Sequence, residues 1–333
     1  MSYLHAGFPA SPLEVPPSGG GGIKYLWMEK RFPHSFPESD IVYAVSSAVH
    51  PRGLEIMHAA RKAGIPVVWN QNGAYFPHSY GQRESVRGNL RMADCLRRAN
   101  YVFYQSEFAK KSSDHFLGTC DCPWEILYNA VDVSRYSIST LEPGKPLIIL
   151  AAGSHDDAYR IPLVLQTFDR VRAALSGVKL IVAGRLRPED RLLLEKRAAA
   201  YPAGELIVIG PYRTEDAPAL FQRAHIFLHA KATDVCPSVV IEAMAAGLPV
   251  VYSATGGTPE LVGDAGIGIP GNTNWDLHEP PEPEALADAI CEVSRNWHEF
   301  SRRARKRAEE RFDLKPWLDR HEAVFRMLIA FQP

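Results

Sequence analysis

The chain has 333 residues, enough for two domains of ordinary size, and its 46% hydrophobic and 23% charged residues fit a globular protein. A formal net charge of −1 offers no global electrostatic argument for nucleic acid, and no run approaches the roughly 20 apolar residues of a membrane span. The five cysteines (95, 120, 122, 236, 291) are an odd number without zinc-site spacing, and no stretch reads as a secretory signal, so a reducing cytoplasm is the expected home.

Residues 1–18 are rich in proline and serine, with YLHAGF the candidate strand. Gly19 to Gly22 form a four-glycine run before IKYLWMEKRF, which reads as an amphipathic helix. Such a run lets backbone approach a ligand and frees N–H groups to face an anion; a flexible linker is the alternative. Then strands DIVYAVSSA, IPVVWNQNG, NYVFYQS and WEILYNAVD alternate with helices RGLEIMHAARKAG, SVRGNLRMADCLRRA and EFAKKSSDHFLG. That alternation predicts an α/β, doubly wound, mostly parallel sheet. Ligands of such sheets sit beyond the carboxyl ends of the strands, which points at Asn70, Gln71, Asn72, Gly73, Gln105 and Ser106.

A second α/β half restarts at LIILAAGS and runs through PLVLQTFDRVRAAL, VKLIVAGR, PEDRLLLEKRAAAY, ELIVIGPY, EDAPALFQRA and HIFLHA. Residues 231–260, KATDVCPSVVIEAMAAGLPVVYSATGGTPE, follow. Here a short helix opens near Pro237 or Ser238, with Ile241, Met244 and Ala245 as its apolar stripe. Gly247 suits a left-handed cap at its end and Pro249 discourages continuation. VVYSA then reads as a buried strand, and TGGTPE as a glycine-rich turn into another helix. The first amides of the 238 helix make a site for an anion such as phosphate. Glu242, about one turn inside, can accept two hydrogen bonds from a diol, and Asp234 precedes the helix within reach of whatever the phosphate carries. After an acidic, proline-rich loop come helices EALADAICEVSRNW, HEFSRRARKRAEERF and LKPWLDRHEAVFRMLIA. The basic tract 302–311 reads as a solvated face laced with ion pairs, with peripheral contact to anionic lipid as the alternative.

The 231–260 stretch resembles the donor-site signature of the family 4 (group 1) retaining glycosyltransferases of the GT-B fold. EAMAAGLPVV and GGTPE match that signature letter for letter, while Asp234 stands where the family has a first glutamate. The resemblance covers most of the chain, strongest over 205–268 and weakest over the first 40 residues. It implies two Rossmann-like domains facing a cleft: 1–138 on the acceptor side, 139–314 for the nucleotide-sugar, and a helix at 315–333 returning to the first domain. It further implies that Glu242 holds the ribose hydroxyls and Asp234 those of the transferred sugar. Ser238 and Val239 amides, with Arg160 or Lys231, would neutralise the pyrophosphate; Gly153, Gly256, Gly257 and Glu260 would line the same pocket. A glycine-rich loop faces the cleft in that family, which favours the ligand role for Gly21 and Gly22. Asn72 and Gln71 fall on the acceptor side.

Three further positions depart from the family pattern. Ser154 and Tyr159 stand where an Arg and a Lys usually serve the pyrophosphate, so Arg160 and then Lys231 are the substitutes. Asn72 replaces a His near the reacting sugar and cannot act as a base. His225 and His229 read as packed or cleft-lining residues on a strand, and no Asp-x-Asp motif is present, so neither metal nor cofactor is expected. The chain lacks G-x-S-x-G, a trustworthy G-x-G-x-x-G, and the Lys–Ser/Thr ending of a nucleoside-triphosphate loop.

The resulting expectation is a metal-independent transferase moving a hexose-type sugar from a UDP- or GDP-sugar to a hydroxyl of a glycan, glycolipid or small molecule. Two rivals remain: a protein on the same fold that binds nucleotide or glycan without turnover, and a nucleotide-sugar epimerase.

Overall fold

The computed structural model describes residues 1, 3–5, 20–35, 39–138 and 146–331, with backbone alone for 3–5 and 20. Most of the proline-rich start, residues 6–8 of the candidate strand, Gly19, and the expected link over 139–145 lie outside the described residues. The chain divides into two compact units, Met1–Asn129 with Leu314–Pro333, and Ala130–Asp313. The division at Asn129 lies ahead of the expected 138/139 boundary. Val131 bridges to Asp313, and the Val133 N–H donates to the Asp313 carboxylate at 3.3 Å, which ties 131–138 into the second unit.

The first unit is a parallel sheet of β1 (Tyr3–His5), β2 (Ile41–Val45), β3 (Val67–Gln71), β4 (Tyr101–Tyr104) and β5 (Trp124–Ile126), ordered as in the chain. Its described helices are α1 (Gly20–Arg31), α2 (Gly53–Lys62), α3 (Pro77–Tyr80), α4 (Gln82–Leu96) and α5 (Glu107–Leu117). Every residue of β2, β3 and β4 is buried, the signature of parallel strands covered on both faces and built from Val, Tyr, Phe and Trp.

Two expectations change here. The glycine run is not a loop, because α1 already begins at Gly20 and Gly21 and Gly22 lie in its first turn. A Cβ on Gly21 would sit 2.2 Å from Ser47 Oγ, so the missing side chain lets the helix close onto the Ser46–Ala48 turn. The polar residues at the strand ends are also used internally. Asn70 Oδ1 accepts from Lys24 Nζ and Gln105 Nε2, both at 2.9 Å, and Ser106 caps α5 by accepting from Ala109 N–H.

The second unit holds β6 (Leu147–His155), β7 (Val178–Leu186), β8 (Leu206–Ile209), β9 (Ile226–His229), β10 (Val250–Ser253) and β11 (Gly266–Ile269). They form one parallel sheet in the order β11-β10-β9-β6-β7-β8. Helices α6 (Arg160–Ala174), α7 (Pro188–Ala200), α8 (Ala217–Phe221), α9 (Ser238–Ala245), α10 (Thr258–Val262), α11 (Pro283–Arg295) and α12 (Trp297–Arg311) connect them. Ile149, Val164, Phe168, Leu180, Ile226 and Ile290 are among the residues of its core. The strand order reverses between β6 and β9, and a doubly wound sheet opens its ligand crevice at the carboxyl ends of such a pair.

Helix α13 (Leu314–Ala330) rejoins the first unit. Trp317 meets Trp27 edge-on at 5.8 Å between ring centroids, His321 lies 4.3 Å from Phe103, and Phe325 lies 5.3 Å from Phe32.

Candidate functional site

Near the carboxyl end of β6, Gly153 takes a φ of +111° that suits a residue without a Cβ, and its register partner on β7 is Gly184. A Cβ on Gly153 would touch Val239 at 3.7 Å, so this part of β6 lies against the first turn of α9. Ser238 opens α9 after Pro237, and no side chain caps it. The first internal bond of that turn runs from Val240 N–H to Pro237 O at 3.1 Å, leaving the Ser238 and Val239 amides ahead of the helical ladder.

At the carboxyl end of β9 the loop 231–237 is held in place from several sides. Ala232 N–H donates to the Tyr159 hydroxyl and Thr233 N–H to Thr255 Oγ1, each at 2.9 Å. Thr233, at φ 54°, is the one non-glycine residue with positive φ among the described residues. Gly257 N–H donates to Asp234 O at 2.8 Å, and a Cβ on Gly256 would lie 2.4 Å from that same oxygen. The glycine pair therefore clamps the Asp234 backbone. Glu260 is half-buried on α10, where its carbonyl accepts from Arg307 at 2.8 Å.

The Asp234 carboxylate gathers the charges of the site. Oδ1 accepts from Val235 N–H at 2.9 Å, while Oδ2 lies 3.3 Å from His229 Nε2 and 3.6 Å from Lys231 Nζ. Burial opposes its ionisation, but Lys231, His229 and Arg160 outweigh burial and hold the carboxyl well below the usual carboxylate range. His229 is itself held neutral, since burial lowers its pKa more than Asp234 raises it. The two candidate cations differ in access. Arg160 is 3% exposed and donates to Ser154 O, whereas the Lys231 side chain is 35% exposed. Of the two candidate cations, Lys231 is the one exposed to solvent.

Glu242, one helical turn into α9, is half-buried with the Tyr136 hydroxyl within hydrogen-bonding reach. Burial pushes its carboxyl up to about 7, against the opposing pull of Tyr136 and Arg135. Tyr212 also feels its charge.

On the acceptor side the two sequence candidates part company. Gln71 is fully buried and donates to Gly73 O, so it has no face for an acceptor; the residue packs instead of binding. Asn72 is half-buried, donating from Nδ2 to Ser47 Oγ at 2.7 Å and from its backbone to Ser46 Oγ at 2.9 Å. Of the histidines, His225 packs, accepting from Ile148 N–H at 2.9 Å. Tyr136 joins the site unforeseen, while His229, expected as packed or cleft-lining, and Tyr159, noted only as a departure from the family pattern, partner its acid and loop, contacts across separate strands and loops that leave no local pattern. Among the described residues no cluster of three or more His, Cys, Asp or Glu could hold a metal ion.

A sequence model of the family described as glycosyl transferases group 1 matches residues 132–311. The chain belongs to that family. It is similar to the phosphatidylinositol N-acetylglucosaminyltransferase gpi3 subunit of Schizosaccharomyces pombe, 24% identical over 48% of this chain and 33% of that protein. It is also similar to the lipopolysaccharide 1,2-N-acetylglucosaminetransferase of Salmonella typhimurium, 26% identical over 52% of this chain and 49% of that one. Both matches thus span less than half the relatives' own length. In three dimensions it resembles Anabaena Alr3699/HepE, solved with UDP, at a TM-score of 0.70 and 17% identity, covering 98% of this chain and 100% of that one. At that identity the likeness speaks for the fold, the GT-B pair of Rossmann-like units.

Proposed function

We propose that the protein transfers a sugar from a nucleoside diphosphate sugar to an acceptor hydroxyl, with retention of anomeric configuration and without a metal. The reading rests on one observation: the end of β6, the loop after β9 and the first amides of α9 meet at the switch point of the second unit's sheet, with Lys231 and Asp234 there. Glu242 accepts from the ribose diol. The Ser238 and Val239 amides and Lys231 take the pyrophosphate, and Asp234 accepts from hydroxyls of the transferred sugar.

In the reaction the bond between the anomeric carbon and the phosphate oxygen breaks, and one to the acceptor oxygen forms on the same face. The acceptor proton passes to the departing diphosphate, so no side-chain base is required, and Asn72 in place of histidine is compatible with turnover. Rate enhancement comes from positioning and from N–H and ammonium groups fixed where negative charge develops. The acceptor class, a glycan or glycolipid, draws support from the lipopolysaccharide transferase among the relatives.

A panel of UDP- and GDP-sugars, read by mass spectrometry for released nucleoside diphosphate with and without EDTA, tests this. One donor should be slowly hydrolysed at a rate EDTA leaves unchanged. The burial of Arg160 favours the second reading, a nucleotide-binding relative without turnover; nucleotide binding with no release of diphosphate across a panel of acceptors would establish it. Interconversion of donors without acceptor would instead identify an epimerase.

A further inference from the structure

The first unit contains a cavity of about 540 Å³ that the donor chemistry leaves unassigned. Trp69, Met92 and Cys95 line its apolar side, Tyr75 and Tyr80 an aromatic wall, and Arg87 and Arg91 of α4 a basic one. Trp69 is fully buried and its indole N–H donates to Gln71 Oε1, so it offers the cavity only carbon. Burial pushes the Cys95 thiol up to about 11, leaving a neutral, apolar sulfur.

The aromatic wall is held from behind by α4. Tyr75 N–H donates to Asn89 Oδ1 at 2.8 Å, and Tyr75 O accepts from Asn89 Nδ2 at 2.9 Å. The Tyr75 ring lies on the bare backbone of Gly88, where a Cβ would come within 2.6 Å of it. Tyr80 meets that ring edge-on at 4.7 Å. Two consecutive residues of one helix thus fix a single tyrosine, more than packing alone demands.

The basic wall is as specific. Arg87 and Arg91 stand one turn apart, so they share a helix face. Arg91 Nη2 is anchored on His50 O at 2.8 Å and Pro51 O at 3.0 Å, which aims the rest of its guanidinium. Arg87 makes no hydrogen bond or ion pair with any described residue. Glu84 also lines the cavity, so two cations there face one carboxylate.

We infer that this cavity is a subsite for an anionic sugar ring of the acceptor, the ring lying on the Tyr75 wall and its carboxylate or phosphate taken by Arg87 and Arg91. Aromatic faces suit the apolar C–H face of a pyranose, and paired guanidinium groups suit planar or tetrahedral oxyanions. The assignment deepens the transferase reading and rests on it.

Calorimetry on the full chain with glucuronate, glucose 6-phosphate and glucose as probes tests it, with UDP and GDP titrated in parallel. Either anion should bind at least about tenfold more tightly than glucose, and the tighter of the two tells carboxylate from phosphate. Arg87→Ala should remove that preference with unchanged nucleotide affinity and melting temperature, and Gly88→Ala, which displaces Tyr75, should weaken the anion about tenfold with unchanged nucleotide affinity. Equal binding of glucose, an Arg87→Ala variant that keeps the preference, or no binding of either anion up to about 10 mM would each overturn the subsite. Loss of UDP and GDP binding by the wild-type protein would instead overturn the transferase reading, which keeps the two failures apart.

Discussion

Asp234 and Glu242 are two carboxylates of one signature, placed by the fold in opposite electrostatic states. Lys231, neutral His229 and Arg160 hold Asp234 ionised at any working pH, whereas burial leaves Glu242 at the edge of ionisation near pH 7. Asp234→Asn preserves shape, including an oxygen for Val235 N–H, and removes charge alone. The variant should lose on the order of 10²-fold or more in kcat/KM while remaining folded at the assay temperature, and near-normal turnover would end the role given to Asp234. Glu242 predicts a pH profile. A carboxylate accepts from two ribose hydroxyls only when ionised, so nucleotide affinity should fall below pH 7 by up to about tenfold per pH unit. Glu242→Gln should bind weakly and lose that part of the slope. The sign for stability is the reverse. A carboxyl with a raised folded pKa favours the fold at pH values below its unfolded pKa, and that contribution is lost as pH rises through about 7. Relative to wild type, Glu242→Gln should therefore gain stability between pH 5 and 8, measured by chemical denaturation at each pH. Both acids are legible from their spacing; their opposite environments are not, because these come from burial around Glu242 and from His229 and Arg160, on other elements, beside Asp234.

At the scale of elements, local turn chemistry could be read and glycine-rich packing could not. Gly247 has φ +77°, its N–H donates to Met244 O and Leu248 N–H donates to Ala243 O, the paired bonds of a Schellman cap. That cap sends the chain from α9 into β10, and the residues dictating it are neighbours in sequence. By contrast, GIGI, which the sequence reading leaves unassigned, forms β11. Gly266 is there because a Cβ would sit 1.9 Å from Val250 O, and Gly268 because one would meet the Tyr252 ring at 2.7 Å. The start of α1 was hidden the same way, since glycine is a poor helix former and only contact with Ser47 explains it. The basic tract of α12 was read correctly as an ion-paired face, with Glu299–Arg303, Arg305–Glu309 and Lys306–Glu310 one turn apart. Gly247→Ala tests the cap. A Cβ would meet Ile138 at 3.2 Å in a strained φ, so the change should cost about 1–2 kcal/mol by urea denaturation. A variant as stable as wild type would show that the cap is not strained by a side chain.

Taken whole, the molecule gathers the Asp234 and Glu242 site in one unit and completes the other with α13. Nothing in the periodicity of LKPWLDRHEAVFRMLIA tells which sheet it covers; only the family resemblance suggested the first. The structure supplies the reason, since Trp317, His321, Val324 and Phe325 are buried among Trp27, Phe32, Tyr43 and Phe103 of the first unit. Burying one large apolar side chain is worth roughly 1.5–3 kcal/mol, and a domain's whole stability is about 5–15 kcal/mol. Removing Trp317, Val324 and Phe325 together therefore takes away most of the margin of the first unit. Deleting 314–333 should unfold that unit, abolish transfer to any acceptor, and leave Ala130–Asp313 folded on its own core. The truncated protein should then bind nucleotide with wild-type affinity, as calorimetry would show, while circular dichroism loses about half its amplitude. If nucleotide binding disappears with the helix while the second unit remains folded, the donor site is not confined to the second unit, and the assignment of ribose and pyrophosphate to Glu242, Ser238, Val239 and Lys231 is incomplete.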